Sequence, residues 1–219
     1  MAQAPVIDGR LARGDESRRR VLGHALDLAS TEGLDGLSFG RLADASRQSK
    51  SGIATLFGSK EGLQLAAVAA AREVFAASVV EPVRATTPAG GLARVIGLAG
   101  AWLSYSRRRV FSGGCFFAAT VAEFDARPGA VQDALRGALD EWEGYLSHSI
   151  RRAMASGELP GLDDAEQLAF EIAGILEAAN NRSLLRGEDA PYERAARTLR
   201  ERFIALGASP DAVSVLLTR

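Results

Sequence analysis

From Asp15 onward the apolar residues recur with a helical period. Val21, Leu22, Ala25, Leu28 and Ala29 fall at i, i+1, i+4, i+7 and i+8, which makes one apolar stripe. Gly33 is placed to stop that helix. Ser38 is placed as the N-cap of a short helix that turns Phe39, Leu42 and Ala43 inward. Ser46, Arg47 and Gln48 interrupt the pattern. Ser49 then caps a second short helix with Ile53, Leu56 and Phe57 on its apolar side, and Gly58 ends it. Ser59 caps a longer helix with Glu61 in its first turn, where the helix dipole favours an acid.

The period continues to the C-terminus. Pro82 and the cluster at 86–91 are read as punctuation. A helix follows over Leu92–Arg107, then a loop at Ser112-Gly113-Gly114 and an apolar segment, Cys115–Phe124. Pro128 suits the first position of a long helix carrying Val131, Leu135, Leu139, Trp142, Leu146, Ile150 and Met154 as far as Ser156-Gly157. Asp163 or Asp164 opens another that ends near Gly187, and the last runs from Pro191 to Leu206. No strand alternation and no repeat is present. The expected fold is all-α, about nine helices: an irregular arm over 1–14, a three-helix head over 15–63 and a helical body over 64–219.

Composition narrows the class. The 219 residues are 47% hydrophobic and 24% charged, as in an ordinary globular protein. The single cysteine, Cys115, excludes an internal disulfide framework. The uncharged runs Val95–Ser106 and Val110–Ala122 fall short of the ~20 apolar residues a spanning helix needs, so no membrane segment is expected. The charged N-terminus lacks the apolar core of a secretory signal, which makes the cytoplasm the default location. Net charge is −1, but the only two lysines, Lys50 and Lys60, both lie within the short-helix segment.

Two short capped helices joined by a tight turn form a helix-turn-helix. The second is small enough to enter a major groove about 12 Å wide. Its outward residues, Lys50, Ser51, Gly52, Ala54 and Thr55, are small or polar and allow close approach to base edges. This pattern alone leaves a plain helical hairpin equally open. The wording is more specific. Leu42-Ala43, Ser49-Lys50-Ser51-Gly52 and Phe57-Gly58-Ser59-Lys60-Glu61-Gly62-Leu63, with Glu32-Gly33 before them, resemble the signature of TetR-family transcriptional regulators in order and spacing.

The resemblance covers Arg18 to about Val68. It implies a DNA-binding head, a ligand-binding and dimerisation body, a double-stranded operator as partner and a small apolar or aromatic effector. Most members are repressors, and activators also occur. The DNA-binding candidates are Ser38, Arg47, Gln48, Ser49 and Lys50, with Ser51, Gly52, Thr55 and Lys60. Arg10 and Arg13 in the arm either reach DNA or form a solvated tail. This chain departs from the family pattern in the turn, where Arg47 stands for glycine and Gln48 for an apolar residue. It departs again in the second short helix, where Ala54 stands for a frequent tyrosine and Leu56 for an aromatic residue.

For the effector, the aromatic and soft residues of the body are the candidates: Trp102, Tyr105, Cys115, Phe116, Phe117, Trp142 and Phe170, with Glu177 as a polar partner. Glu123, His148, Asn180 and Asn181 are further polar candidates. An aromatic at helical spacing is more often core than pocket, so each of these also fits a core position. The stripes Leu168, Ile172, Ile175, Ala179 and Ala195, Leu199, Phe203, Leu206 suit pairing with a second copy as a homodimer. An enzyme is the first rival class. The two histidines occupy no metal-spacing motif, and neither a Gly-x-Ser-x-Gly nor a P-loop occurs, so no catalytic residue, metal or cofactor is expected. A purely structural helical dimer is the second rival. It gives the Ser-Lys signature no purpose.

Overall fold

A computed structural model describes residues 9–217, with nine helices among them. They are α1 (Gly9–Glu32), α2 (Phe39–Ser46), α3 (Lys50–Phe57), α4 (Lys60–Thr86), α5 (Gly91–Arg107), α6 (Phe116–Phe124), α7 (Ala130–Ala155), α8 (Ala165–Arg186) and α9 (Ala190–Ala205). A 3-10 turn, Ser214–Leu217, follows and buries Val213 and Leu216.

The head is α1 to α3 packed on the start of α4. Val21, Ala25, Leu26 and Ala29 of α1 meet Leu42, Ile53, Phe57 and Leu63 in one core. In the body α5 packs on α7, α7 on α8 and α8 on α9, while α4 runs along α7 and α1 lies against α6. Phe116, Leu146, Ile150 and Phe203 are completely enclosed. Burial of each such side chain stabilises the fold by about 1.5–3 kcal/mol.

Several expectations are corrected. Helix α1 starts at Gly9, so residues 9–14 are helical rather than an irregular arm. The arm's remaining residues and the side chains of Arg10 and Arg13 lie outside the described part. Pro82 does not interrupt α4. The chain takes a π-helical turn over Ala76–Val80, where the Glu81 amide reaches back five residues to the Ala76 carbonyl, and the helix continues to Thr86. The expected head–body boundary at residue 63 therefore falls inside one continuous helix.

That helix, Lys60–Thr86, contains an 18-residue stretch with a mean hydropathy of 1.5, long and apolar enough to cross a membrane by length and composition alone, contrary to the expectation of no such segment. Alanine raises its hydropathy, and Arg72 and Glu73 interrupt it. Arg72 forms an ion pair with Glu141 of α7, and Leu63, Ala67, Val68 and Ala71 are buried, which is the pattern of a helix packed within a bundle.

The stripes assigned to a partner copy are also used differently. Leu168, Ile172, Ala179, Leu199 and Phe203 are buried inside the subunit itself. The exposed apolar residues of α8 are Phe170, Leu184 and Leu185, at 67%, 38% and 86% exposure.

Candidate nucleic-acid interface and effector core

Helices α2, α3 and α4 are each started by a serine side chain. Ser38 Oγ accepts from the Arg41 amide at 3.3 Å, Ser49 Oγ from Gly52 at 3.0 Å and Ser59 Oγ from Gly62 at 3.0 Å. These caps satisfy amides that a helix start otherwise leaves unpaired. Gly62 is required by space, because a Cβ there would collide with the Phe57 carbonyl.

The turn between α2 and α3 is left-handed at Arg47, with φ 57° and ψ 37°. Glycine adopts that conformation freely, whereas a side chain raises its energy by about 1–2 kcal/mol. Arg47 is exposed and enters no ion pair among the described residues. Gln48 is turned inward: its Oε1 accepts from Ser17 Oγ at 2.7 Å, and its Nε2 donates to the Ser17 carbonyl at 3.3 Å. It fastens the turn to α1 and does not face outward.

Ser49, Lys50, Ser51 and Thr55 form the exposed side of α3, with Gly52 half-buried and Ile53 and Phe57 facing the core. The Thr55 hydroxyl donates to the Ser51 carbonyl at 2.9 Å, which leaves its oxygen free to accept. Arg18, a residue the sequence expectations missed, holds the far end of α3. Its guanidinium donates to the Leu56 carbonyl at 2.7 Å and lies 4.7 Å from the Phe57 ring centroid. Arg18 falls on the inward stripe of α1 three residues before Val21, and that position was the available signal.

A cleft of about 390 Å³ opens between the starts of α2, α3 and α4. It is bordered by Asp35, Leu37, Ser38, Phe39, Gly40, Lys50, Lys60 and Leu63. Three helix N-termini and two lysines make it suited to an anion. Lys60 is not unengaged: its Nζ donates to the Asp35 carbonyl at 2.8 Å and lies 3.4 Å from the Asp35 carboxylate.

The head meets the body along a polar seam. Glu123 of α6 accepts from the Leu34 amide at 2.6 Å and the Asp35 amide at 2.8 Å. Gly33 lies under that carboxylate at φ 77°, where a Cβ would run into it. Glu123, a candidate for the effector site, therefore belongs to the seam. Arg127 pairs with Asp35. The Ser112 amide donates to Asp27 at 2.7 Å and the Gly113 amide to Ser30 Oγ at 3.0 Å.

In the body the structure gathers most of the aromatic candidates. Phe75, which the sequence expectations missed, stands edge-on to Tyr105, Phe117 and Trp142, with ring centroids 5.8, 6.2 and 5.1 Å away. Phe111 and Phe116 extend the cluster. Trp102 is buried nearby on α5. The hydroxyls of Tyr105 and Tyr145 are buried without a hydrogen-bond partner. Burial, with the neighbouring Cys115 adding to it, pushes the Tyr105 phenol above its ordinary range. Burial likewise pushes the Cys115 thiol up to about 11, so it stays protonated and unreactive at neutral pH.

Beneath the rings lies a polar network. Asn180 Oδ1 accepts from Ser106 Oγ at 2.7 Å and from the Cys115 amide at 3.1 Å. Arg109 donates to Tyr192 Oη at 3.1 Å and to Ser183 Oγ at 2.9 Å. Three candidates stand apart from the cluster. Phe170 and His148 are exposed, and Asn181 is exposed beside Asn180. Glu177 is also largely exposed, yet partial desolvation and then the Glu143 charge push its carboxyl above the usual range. Among the described residues no three His, Cys, Asp or Glu side chains come together as a metal site requires.

Comparison with known proteins agrees with this architecture. A family model described as "Tetracyclin repressor-like, C-terminal domain" matches residues 91–199. No curated protein matches the chain. Among solved structures, a TetR transcriptional regulator from Chloroflexus aurantiacus is 26% identical, with a TM-score of 0.73 over 89% of this chain and 94% of that one. The regulatory protein TetR from Rhodobacter sphaeroides is 24% identical, with a TM-score of 0.71 over 84% and 96%. AibR, solved in complex with isovaleryl coenzyme A and operator DNA, is 18% identical, with a TM-score of 0.63 over 75% and 86%. A helix-turn-helix head on an all-helical body, joined to these matches, places the chain in the TetR family of transcriptional regulators.

Proposed function

We propose that this regulator is a cytoplasmic repressor that binds a palindromic operator as a homodimer and is released by a small apolar or aromatic effector. The observation that carries the DNA reading is the outward face of α3: Ser49, Lys50, Ser51, Gly52 and Thr55 form a shallow polar surface beside a cleft with two lysines and three helix N-termini. In this reading Ser51, Gly52 and Thr55 meet base edges. Ser38, Arg47, Ser49, Lys50 and Lys60 meet phosphates, and Gln48 supports the turn.

Dimerisation uses the exposed side of α8, where Phe170, Gly174, Glu177, Asn181 and Leu184 recur every three or four residues. Phe170, Leu184 and Leu185 are large apolar side chains left exposed on this helix, and exposed apolar surface of this kind marks an interface. Two heads joined in this way reach half-sites one helical turn apart, about 34–36 Å.

The effector enters the aromatic cluster, where the buried Tyr105 hydroxyl is without a hydrogen-bond partner. AibR, bound to both an acyl coenzyme A and operator DNA, is a precedent within the fold for one chain holding both partners. DNA and effector favour different placements of the heads, so each weakens the other's binding by the same factor.

Footprinting the purified chain on DNA flanking its own gene tests the proposal, with native mass spectrometry of the protected fragment. The expected result is a two-fold symmetric footprint carrying an even number of chains. Protection without sequence preference, or one chain per site, overturns it.

A further inference from the structure

The cleft between α2, α3 and α4 contains an acid where a phosphate cradle would hold only cations. Asp35, on the loop between α1 and α2, takes up Lys60 with both its carbonyl and its carboxylate. A lysine held in this way offers less charge to a phosphate, because part of its field is already neutralised at close range. Asp35 also has a second cation. Arg127, on the connection between α6 and α7, hydrogen-bonds the other carboxylate oxygen. That bond, more than the charge of Lys60, holds the Asp35 carboxyl below its ordinary range.

The two cations come from different parts of the molecule, Lys60 at the start of α4 beside α3 and Arg127 in the body. The same body fixes where Asp35 sits, since Glu123 accepts from the Leu34 and Asp35 amides. Glu123 and Arg127 flank the C-terminus of α6. The N-terminal residues of α6, Phe116 and Phe117, stand in the aromatic cluster. A displacement of α6 therefore moves the partner of Asp35.

We propose that Asp35 and Arg127 are positioning residues for Lys60: Asp35 competes with the DNA backbone for this lysine, and Arg127, by sharing the Asp35 carboxylate, loosens that hold and leaves Lys60 easier to draw to a phosphate. Withdrawal of Arg127 by a shift of α6 leaves the Asp35 carboxylate to Lys60 alone, tightens that pair and weakens duplex binding. The inference rests on the DNA-binding reading of the head. It adds the route by which the body sets the charge of the phosphate cleft. All three side chains are about half exposed, so each effect is a few-fold.

A double-mutant cycle on the full chain tests it, with a labelled random-sequence duplex as the probe and affinity measured across salt concentrations. Asp35→Asn is expected to tighten binding about three-fold, the size a half-exposed ion pair carries. It should also steepen the salt dependence by up to ~0.9, the value of one added phosphate contact. Arg127→Ala is expected to weaken binding about three-fold in the native background and to change nothing once Asp35 is Asn. Arg127→Lys should restore native affinity. Equal losses from Arg127→Ala in both backgrounds would show that Arg127 meets DNA itself or merely supports the fold, and would overturn the inference. An unchanged affinity and salt slope in Asp35→Asn would do the same. A native chain that binds no duplex would instead remove the DNA-binding reading beneath it.

Discussion

In the head, the serines that start α2, α3 and α4 bond amides three residues away; in the body, the polar network under the helices is joined across 65 to 83 residues. Ser38, Ser49 and Ser59 each accept from the third residue onward. Asn180, by contrast, receives Ser106 and Cys115, and Arg109 reaches Tyr192. Local hydrogen bonds survive changes elsewhere, so the head can keep one docking surface while the rest of the chain varies. The body's cluster draws Phe75, Tyr105, Phe117 and Trp142 from four different helices, so its shape depends on the whole bundle. The seam residues Glu123 and Arg127 join the two regimes.

The largest expected effect belongs to the body. Phe116 is fully enclosed and packs edge-on to Phe117, with rings 5.3 Å apart. Phe116→Ala is expected to destabilise the chain by about 3–5 kcal/mol, read from denaturant unfolding, because it removes apolar burial and leaves a cavity. A loss under ~1 kcal/mol would mean that the ring lines an already open chamber rather than a packed core, since the surroundings would have little contact to lose. The head should respond less. Ser49→Ala removes one cap and is expected to cost about 1 kcal/mol. Hydrogen exchange should speed up at the Gly52 amide and leave the body amides unchanged. Acceleration at Asn180 or its neighbours would break the contrast between the two regions.

The same contrast decides what the sequence could show. The caps Ser38, Ser49 and Ser59 and the stops Gly33 and Gly58 are local signals, and each stands where the pattern places it. The starts of α5 and α8 follow equally from short-range cues, whereas α7 begins at Ala130, after the Pro128 expected in its first position. Pro82 misled because a π turn is a backbone accommodation with no residue signature of its own. The effector candidates were only partly legible: an aromatic at helical spacing does not reveal whether the bundle turns it inward. Phe170 and Phe75 carry similar spacing signals, yet one is exposed and the other is central. The pairing of α8 and α9 stripes failed for a related reason. An amphipathic helix announces that a face is buried but not what buries it, and here the subunit's own core takes Ile172 and Phe203. Glu123, Asp35 and Arg127 could not be joined in advance, because their contacts span 88 to 92 residues and use backbone amides.

The smallest expected effect probes the strained turn of the head. Arg47 holds a left-handed backbone at φ 57°, a conformation that a glycine adopts without steric strain. Arg47→Gly relieves about 1–2 kcal/mol of that strain and adds about 0.5–1 kcal/mol of chain entropy to the unfolded state. The net expectation is a gain of about 0.5–1 kcal/mol, visible as a rise in Tm of a few degrees. If Arg47 is retained for a phosphate, the same variant must bind a duplex more weakly on every sequence and lose ~0.9 from the salt slope. A more stable protein with an unchanged slope would assign Arg47 to the turn alone. A less stable protein would mean that its alkyl chain packs on α2 strongly enough to outweigh the backbone strain.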